Sequence, residues 1–120
     1  MPDAKRYTGG CHCGAVRYEA TTALEPVISC NCSHCSARGL LLTFIEPPQF
    51  RLLAGESDLV DYQFNKKIIH HLFCRFCGVE SFARGKRPDG VEMVAINVRC
   101  LEGVDPSAVT TVPFDGKSRR

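Results

Sequence analysis

No apolar run in this 120-residue chain approaches the roughly 18–20 residues that a membrane-spanning helix needs, which excludes an integral helical membrane protein. The first residues, Met1-Pro2-Asp3-Ala4-Lys5-Arg6, carry charge with no apolar segment behind them, so a secretory signal is not expected. No stretch keeps an apolar stripe at 3.6-residue spacing beside a clear cap, so long amphipathic helices are excluded as the main scaffold. Internal repeats, low-complexity tracts and a linker that would split off a second domain are also missing. Charge of one sign is scarce too: the formal balance is only +2. Short basic runs occur at Arg84-Gly85-Lys86-Arg87 and Lys117-Ser118-Arg119-Arg120, and runs this short are read as solvated faces.

What remains is an ordinary globular composition, 44% hydrophobic and 23% charged, in a chain of one-domain length. A domain of this size buries roughly two thirds of its unfolded surface. The apolar pattern is that of strands. Val16 to Ala20 alternates apolar and polar as a half-buried strand does, and Val27 to Cys30 is a short apolar run after Pro26. Leu40 to Ile45 is continuous and stopped by Glu46-Pro47-Pro48, which predicts a strand buried on both faces. Phe50 to Gly55, Leu59 to Phe64 and Ile68 to Phe73 predict a β-meander, with Asn65-Lys66-Lys67 as the last turn. Val79 to Ala83 and Val91 to Val98 follow as strands joined through Pro88-Asp89-Gly90, while Tyr7 to Gly10 is read as a glycine-rich turn. The fold class is therefore mainly β with few short helical turns. Beyond Cys100 the sequence turns polar and irregular, and its last fifteen residues are expected to pack only in part.

One residue type is abundant. Of eight cysteines, seven are clustered: Cys11-His12-Cys13, Cys30-Asn31-Cys32-Ser33-His34-Cys35 and Cys74-Arg75-Phe76-Cys77. Thiols one or two residues apart rarely present the Cα spacing of about 4.4–6.8 Å that a disulfide needs, whereas such turns are a usual clip for zinc. A reducing cytoplasm is the expected compartment. Cys11, Cys13, Cys74 and Cys77 supply four thiolates, enough to saturate a structural Zn2+, and Gly14 and Gly78 directly after two of them permit a left-handed backbone that turns amides toward the sulfurs.

Cys30, Cys32 and Cys35 leave a second Zn2+ one ligand short, the pattern of a catalytic site. Candidates to close it are His34, His12, His70, His71 and Cys100. His34 lies inside the loop with poor geometry for the same ion and is read as a flanking group, and Cys100 is read as a small buried hydrophobe. His70 and His71 point to opposite faces of their strand, one exposed and one packed. If one of these groups closes the site, both ions are structural. With seven thiolates on two dications the formal charge falls from +2 to about −1, so the basic excess disappears.

The blocks Gly10 to Tyr18, Cys30 to Cys35 and Phe73 to Gly78 resemble the signature blocks of the glutathione-dependent formaldehyde-activating (GFA) family, which includes centromere protein V-like proteins. The resemblance implies a small zinc-stapled β-tent of several coiled antiparallel sheets, a single domain over 1–120 with its core at about 7–104 and a polar C-terminal tail at 105–120. It also implies that Cys11, Cys13, Cys74 and Cys77 hold structural zinc and that Cys30, Cys32 and Cys35 hold catalytic zinc. The implied activity is that of a carbon–sulfur lyase acting on a glutathione or other small-thiol adduct, like S-hydroxymethylglutathione synthase. In the central block the chain departs from many members at Asn31 and Ser36. Arg38, Arg75 and Arg99 are candidates by charge for the carboxylates of glutathione. The alternative is a non-catalytic β-tent module that binds a protein, peptide or nucleic acid; scattered basic residues and a charge near zero argue against nucleic acid, and no membrane partner is expected.

Overall fold

The computed structural model describes residues 4–63, 69–87 and 89–115. Among them the chain is mainly β: ten strands in two sheets, one six-residue α-helix and short 3-10 turns. Strand β1 (Lys5–Gly10) pairs antiparallel with β2 (Arg17–Thr22), and β2 with β5 (Phe50–Ala54). The larger sheet collects β3 (Val27–Cys30), β4 (Leu42–Ile45), β6 (Leu59–Tyr62), β7 (His70–Cys74), β8 (Phe82–Lys86), β9 (Glu92–Asn97) and β10 (Thr111–Phe114) in the order β10-β3-β4-β9-β8-β7-β6. Helix α1 (Ser33–Arg38) leaves the end of β3 almost at once.

Alternation works as the sequence predicts in β2 and the residue before it. Val16, Tyr18 and Ala20 are fully buried, while Arg17 and Glu19 between them stay half-exposed. The two sheets meet through three rings. Tyr18 lies with its centroid 5.2 Å from Phe50 and 5.6 Å from Phe82, and Phe50 lies 4.8 Å from Phe82, spacings at which aromatic pairs attract beyond their burial. The Tyr18 hydroxyl donates to the Ser81 carbonyl at 2.9 Å, so its polar end is satisfied inside the core. Beside this main core a smaller cluster joins Leu40, Leu42, Ala83 and Ala95 to Cys35. That cluster carries the central cysteines.

Several sequence expectations change in detail. Tyr7 to Gly10 is the end of β1 instead of a turn, and its glycines are there for closeness. A Cβ on Gly9 would stand 2.9 Å from the Cys100 carbonyl oxygen, and one on Gly10 only 2.1 Å from that of Val16, so backbone passes where any side chain would clash. The expected meander from Phe50 divides: β5 joins β2, while β6 joins β7. Gly55 (φ 93) and the 3-10 turn Glu56–Asp58 redirect the chain between them. The strand expected from Leu40 starts at Leu42 and is not covered on both faces, since Phe44 is 48% exposed.

Val79 to Ser81 is spent on other bonds before β8 begins. The Val79 carbonyl accepts from the Cys74 amide at 3.1 Å, and that of Ser81 from the Asn97 amide at 3.1 Å. The C-terminal tail contributes β10, an exposed edge strand parallel to β3. The expected turn Asn65-Lys66-Lys67, with Phe64, Ile68 and Pro88, lies outside the described residues.

Candidate metal centre and its surroundings

Two strand ends bring the first cysteine group together. Cys11 follows β1, and the Cys11 amide donates to the Val16 carbonyl at 3.1 Å, folding residues 11–16 into a tight loop. Cys74 closes β7, and Gly78 donates back to its carbonyl at 2.8 Å. Cys11, Cys13, Cys74 and Cys77 then have sulfurs all within 4.8 Å of one another. The Cys11–Cys13 and Cys13–Cys74 Sγ separations are both 3.6 Å. A tetrahedron with Zn–S bonds of about 2.3 Å has edges of about 3.8 Å, so four sulfurs at this spacing fit one ion.

The backbone is arranged for thiolates. Gly14 and Gly78 have φ of 86° and 78°, as the sequence predicts. The amide of Val16 donates to Cys11 Sγ at 3.3 Å and that of Phe76 to Cys74 Sγ at 3.4 Å. Burial works against a charged Cys77, but the backbone amides of Val79 and Cys13 and the neighbouring Cys11 and Cys74 thiols outweigh it and bring its pKa down to about 6. Lowering of this kind favours the thiolate form that binds a cation.

The second group is built on one turn. Cys30 is the last residue of β3, Cys32 is the N-cap of α1 and Cys35 lies inside the helix. The Cys35 amide donates to Cys32 Sγ at 3.4 Å and the Cys32 amide to Cys30 Sγ at 3.5 Å. Gly39, left-handed with φ 63, ends the helix by donating to the Cys35 and Ser36 carbonyls. The three sulfurs lie within 4.8 Å of one another, and among the described residues no fourth Cys, His, Asp or Glu joins them at that spacing. Burial first, and then the Cys32 and Cys30 sulfurs, push the Cys35 thiol well above the usual thiol range. A cation among the three sulfurs relieves that repulsion.

A third group draws its residues from beside both sets of cysteines. Glu80, in the segment between Cys77 and β8, is 5% exposed and bonds to two imidazoles. His34 Nε2 stands 2.7 Å from Oε1 and His71 Nδ1 stands 3.2 Å from Oε2. The two rings are in contact, with centroids 3.7 Å apart and planes tilted by 37°. Arg38 Nε approaches Oε1 at 3.7 Å from the more exposed side, and the Asn97 amide side chain holds the Glu80 carbonyl at 3.0 Å. Burial holds the His34 imidazole below its ordinary pKa, His71 and Arg38 adding to the effect against the pull of Glu80.

The sequence profile of the family described as "Glutathione-dependent formaldehyde-activating enzyme" matches residues 6–112. The chain belongs to this family. A crystal structure of a Rhodobacter sphaeroides protein is similar, with 34% sequence identity and a TM-score of 0.78, covering 88% of this chain and 97% of that one. The GFA family is thus named for an enzyme that activates formaldehyde with glutathione, and the cysteine groups of this member have the donors and spacing to bind metal.

The other residues singled out in this GFA-family chain fall as follows. His12 is exposed on the loop of the four-cysteine group. His70 meets Asp61 Oδ2 at 2.7 Å on the exposed face of β7, and His71 on the other face is buried on Glu80; the two histidines divide as expected. Cys100 lies outside both cysteine groups; burial, then the charges of Cys11 and Cys77, raise its pKa to about 11. Arg75 pairs with Asp58 at 3.2 Å and Arg99 donates to the Gly39 carbonyl at 2.9 Å, while Arg38 belongs to the Glu80 group. Glu80 was not singled out in the sequence. Its one signal there is a carboxylate among Val79, Ser81 and Phe82, directly after a cysteine turn.

Proposed function

We propose that the chain is a zinc-dependent carbon–sulfur lyase-type enzyme, acting on a glutathione or other small-thiol adduct in the manner of S-hydroxymethylglutathione synthase. The observation that carries this reading is the unequal division of sulfurs: four converge at the spacing of one saturated ion, and three converge with no fourth donor beside them among the described residues. Cys11, Cys13, Cys74 and Cys77 hold structural zinc, joining the β1–β2 loop to the end of β7. Cys30, Cys32 and Cys35 would hold catalytic zinc at the start of α1, supplying three donors where a saturated ion has four. Zinc in such a site lowers the pKa of a bound thiol and polarises an adjacent oxygen.

The reaction needs little else from the protein. The thiol sulfur adds to the carbonyl carbon of formaldehyde, one carbon–sulfur bond forms, and the proton given up by the thiol ends on the former carbonyl oxygen. The reverse step breaks the same bond. The three cysteines orient the sulfur, and α1, capped at both ends, keeps them in place. Cysteines grouped at metal-ligand spacing fit a reducing cytoplasm, where thiols stay available to bind metal. Carbon-13 formaldehyde mixed with glutathione tests the activity by exchange NMR: zinc-loaded protein speeds interconversion of free and thiol-bound carbon well beyond the buffer rate. Fully loaded protein that leaves the exchange at the buffer rate points instead to a non-catalytic binding module.

A further inference from the structure

His34, His71 and Glu80 stand outside the proposed chemistry, yet all three are buried and both imidazoles bond to the one carboxylate. Their places in the chain are informative. His34 lies between Cys32 and Cys35, two of the central sulfurs. His71 precedes Cys74 by three residues, and Glu80 follows Cys77 by three. One carboxylate therefore ties the helix that presents the central cysteines to both sides of the turn that presents two cysteines of the other group.

Two imidazoles and a carboxylate are also donors for a metal ion. Each carboxylate oxygen already has an imidazole nitrogen, at 2.7 Å and 3.2 Å, both within the range of ordinary hydrogen bonds. Rings that converge on one ion at Zn–N distances of about 2.0–2.1 Å hold their centroids about 5 Å apart, whereas here they lie 3.7 Å apart and tilted by 37°. Arg38 Nε, 3.7 Å from Oε1, brings a positive charge to the same carboxylate, which disfavours a cation beside it. The geometry is that of a proton-bearing clamp.

We infer that Glu80 is a positioning residue for the central thiol group: by accepting from His34 and His71 it clamps α1 against β7 and fixes where Cys32 and Cys35 present their sulfurs. The inference rests on the proposed metal centre at Cys30, Cys32 and Cys35. A ligand loop held from behind loses fewer degrees of freedom on binding its ion, and removing such outer supports typically weakens metal affinity about 10–100-fold. The four-cysteine group, tied by its own turns, does not need the carboxylate.

The test uses full-length protein loaded with one equivalent of zinc, followed by cobalt titration of the remaining site through its thiolate charge-transfer band. Glu80→Met is expected to weaken cobalt binding at the central site at least about tenfold and to leave the zinc in place. Glu80→Gln, which reaches both rings with an oxygen that accepts from one imidazole and an amide that donates to the other, recovers most of the affinity. Should Glu80→Met prove insoluble, Glu80→Asp retains the charge but is too short to reach both rings, and the same weakening is expected. Unchanged cobalt affinity in the folded variant overturns the clamp while leaving the proposed function standing. Equal loss at both sites overturns it as well, by reducing Glu80 to a general fold residue. A third ion bound by the unmodified chain and missing from Glu80→Met overturns it in favour of a metal ligand. Unmodified protein that takes no cobalt at the central site overturns the clamp and the function together.

Discussion

Cys32 does two jobs that one substitution can separate. Its sulfur belongs to the central group, and the same sulfur accepts from the Cys35 amide as the N-cap of α1. Serine is among the best N-cap residues, so Cys32→Ser keeps the cap and removes the soft donor. The expected outcome is an unchanged circular dichroism spectrum, one zinc retained by metal analysis, and loss of glutathione binding by calorimetry. Cys74 is different: it is fully buried, and its amide and carbonyl close the turn that brings Cys77 back. Structural zinc contributes about 10–16 kcal/mol in small fingers, comparable with the whole stability of a domain. Cys74→Ala is accordingly expected to give insoluble or unfolded protein; a well-dispersed NMR spectrum from it would count against a structural ion. At this scale the sequence was very legible for cysteine and poorly so for glutamate. Thiols at one- and two-residue spacing announce a shared ion, whereas the burial of Glu80 depends on His34, 46 residues away, and no local pattern marks it.

Among elements, β1 shows how a strand can hide behind its composition. Gly9 and Gly10 lower strand propensity, and the segment reads as a turn until its neighbours are known. The reason for glycine differs from place to place. At Gly10 a Cβ would meet the Val16 carbonyl oxygen at 2.1 Å, while at Gly14 the space is open but φ is 86°. Gly14→Ala is expected to cost about 1–2 kcal/mol of backbone strain. Gly10→Ala is expected to cost more, at least the roughly 1–3 kcal/mol typical of overpacking, because backbone must move. Urea midpoints of the zinc-loaded variants order the two; equal midpoints would contradict the close approach. Alternation made β2 readable because its pattern is local. The divergence of β5 from β6 was not readable, since strand partners are chosen by the far side of the fold.

The whole molecule places its metal donors at the edges of a small aromatic core. Tyr18, Phe50 and Phe82 join the two sheets, and from this core β1, β2 and β7 lead to one cysteine group while β3 and α1 lead to the other. The mainly β class followed from the absence of helical periodicity together with frequent short apolar runs. The parallel edge strand β10 did not, because its four residues are all exposed and bury nothing that patterning could register. Function at this scale reduces to whether one of the two sulfur groups still accepts an outside atom. Cobalt substitution measures that directly. With both sites filled, addition of glutathione is predicted to change the d–d bands of one cobalt while the other stays fixed as a closed tetrathiolate. Two cobalt ions whose spectra are both indifferent to glutathione would contradict the account.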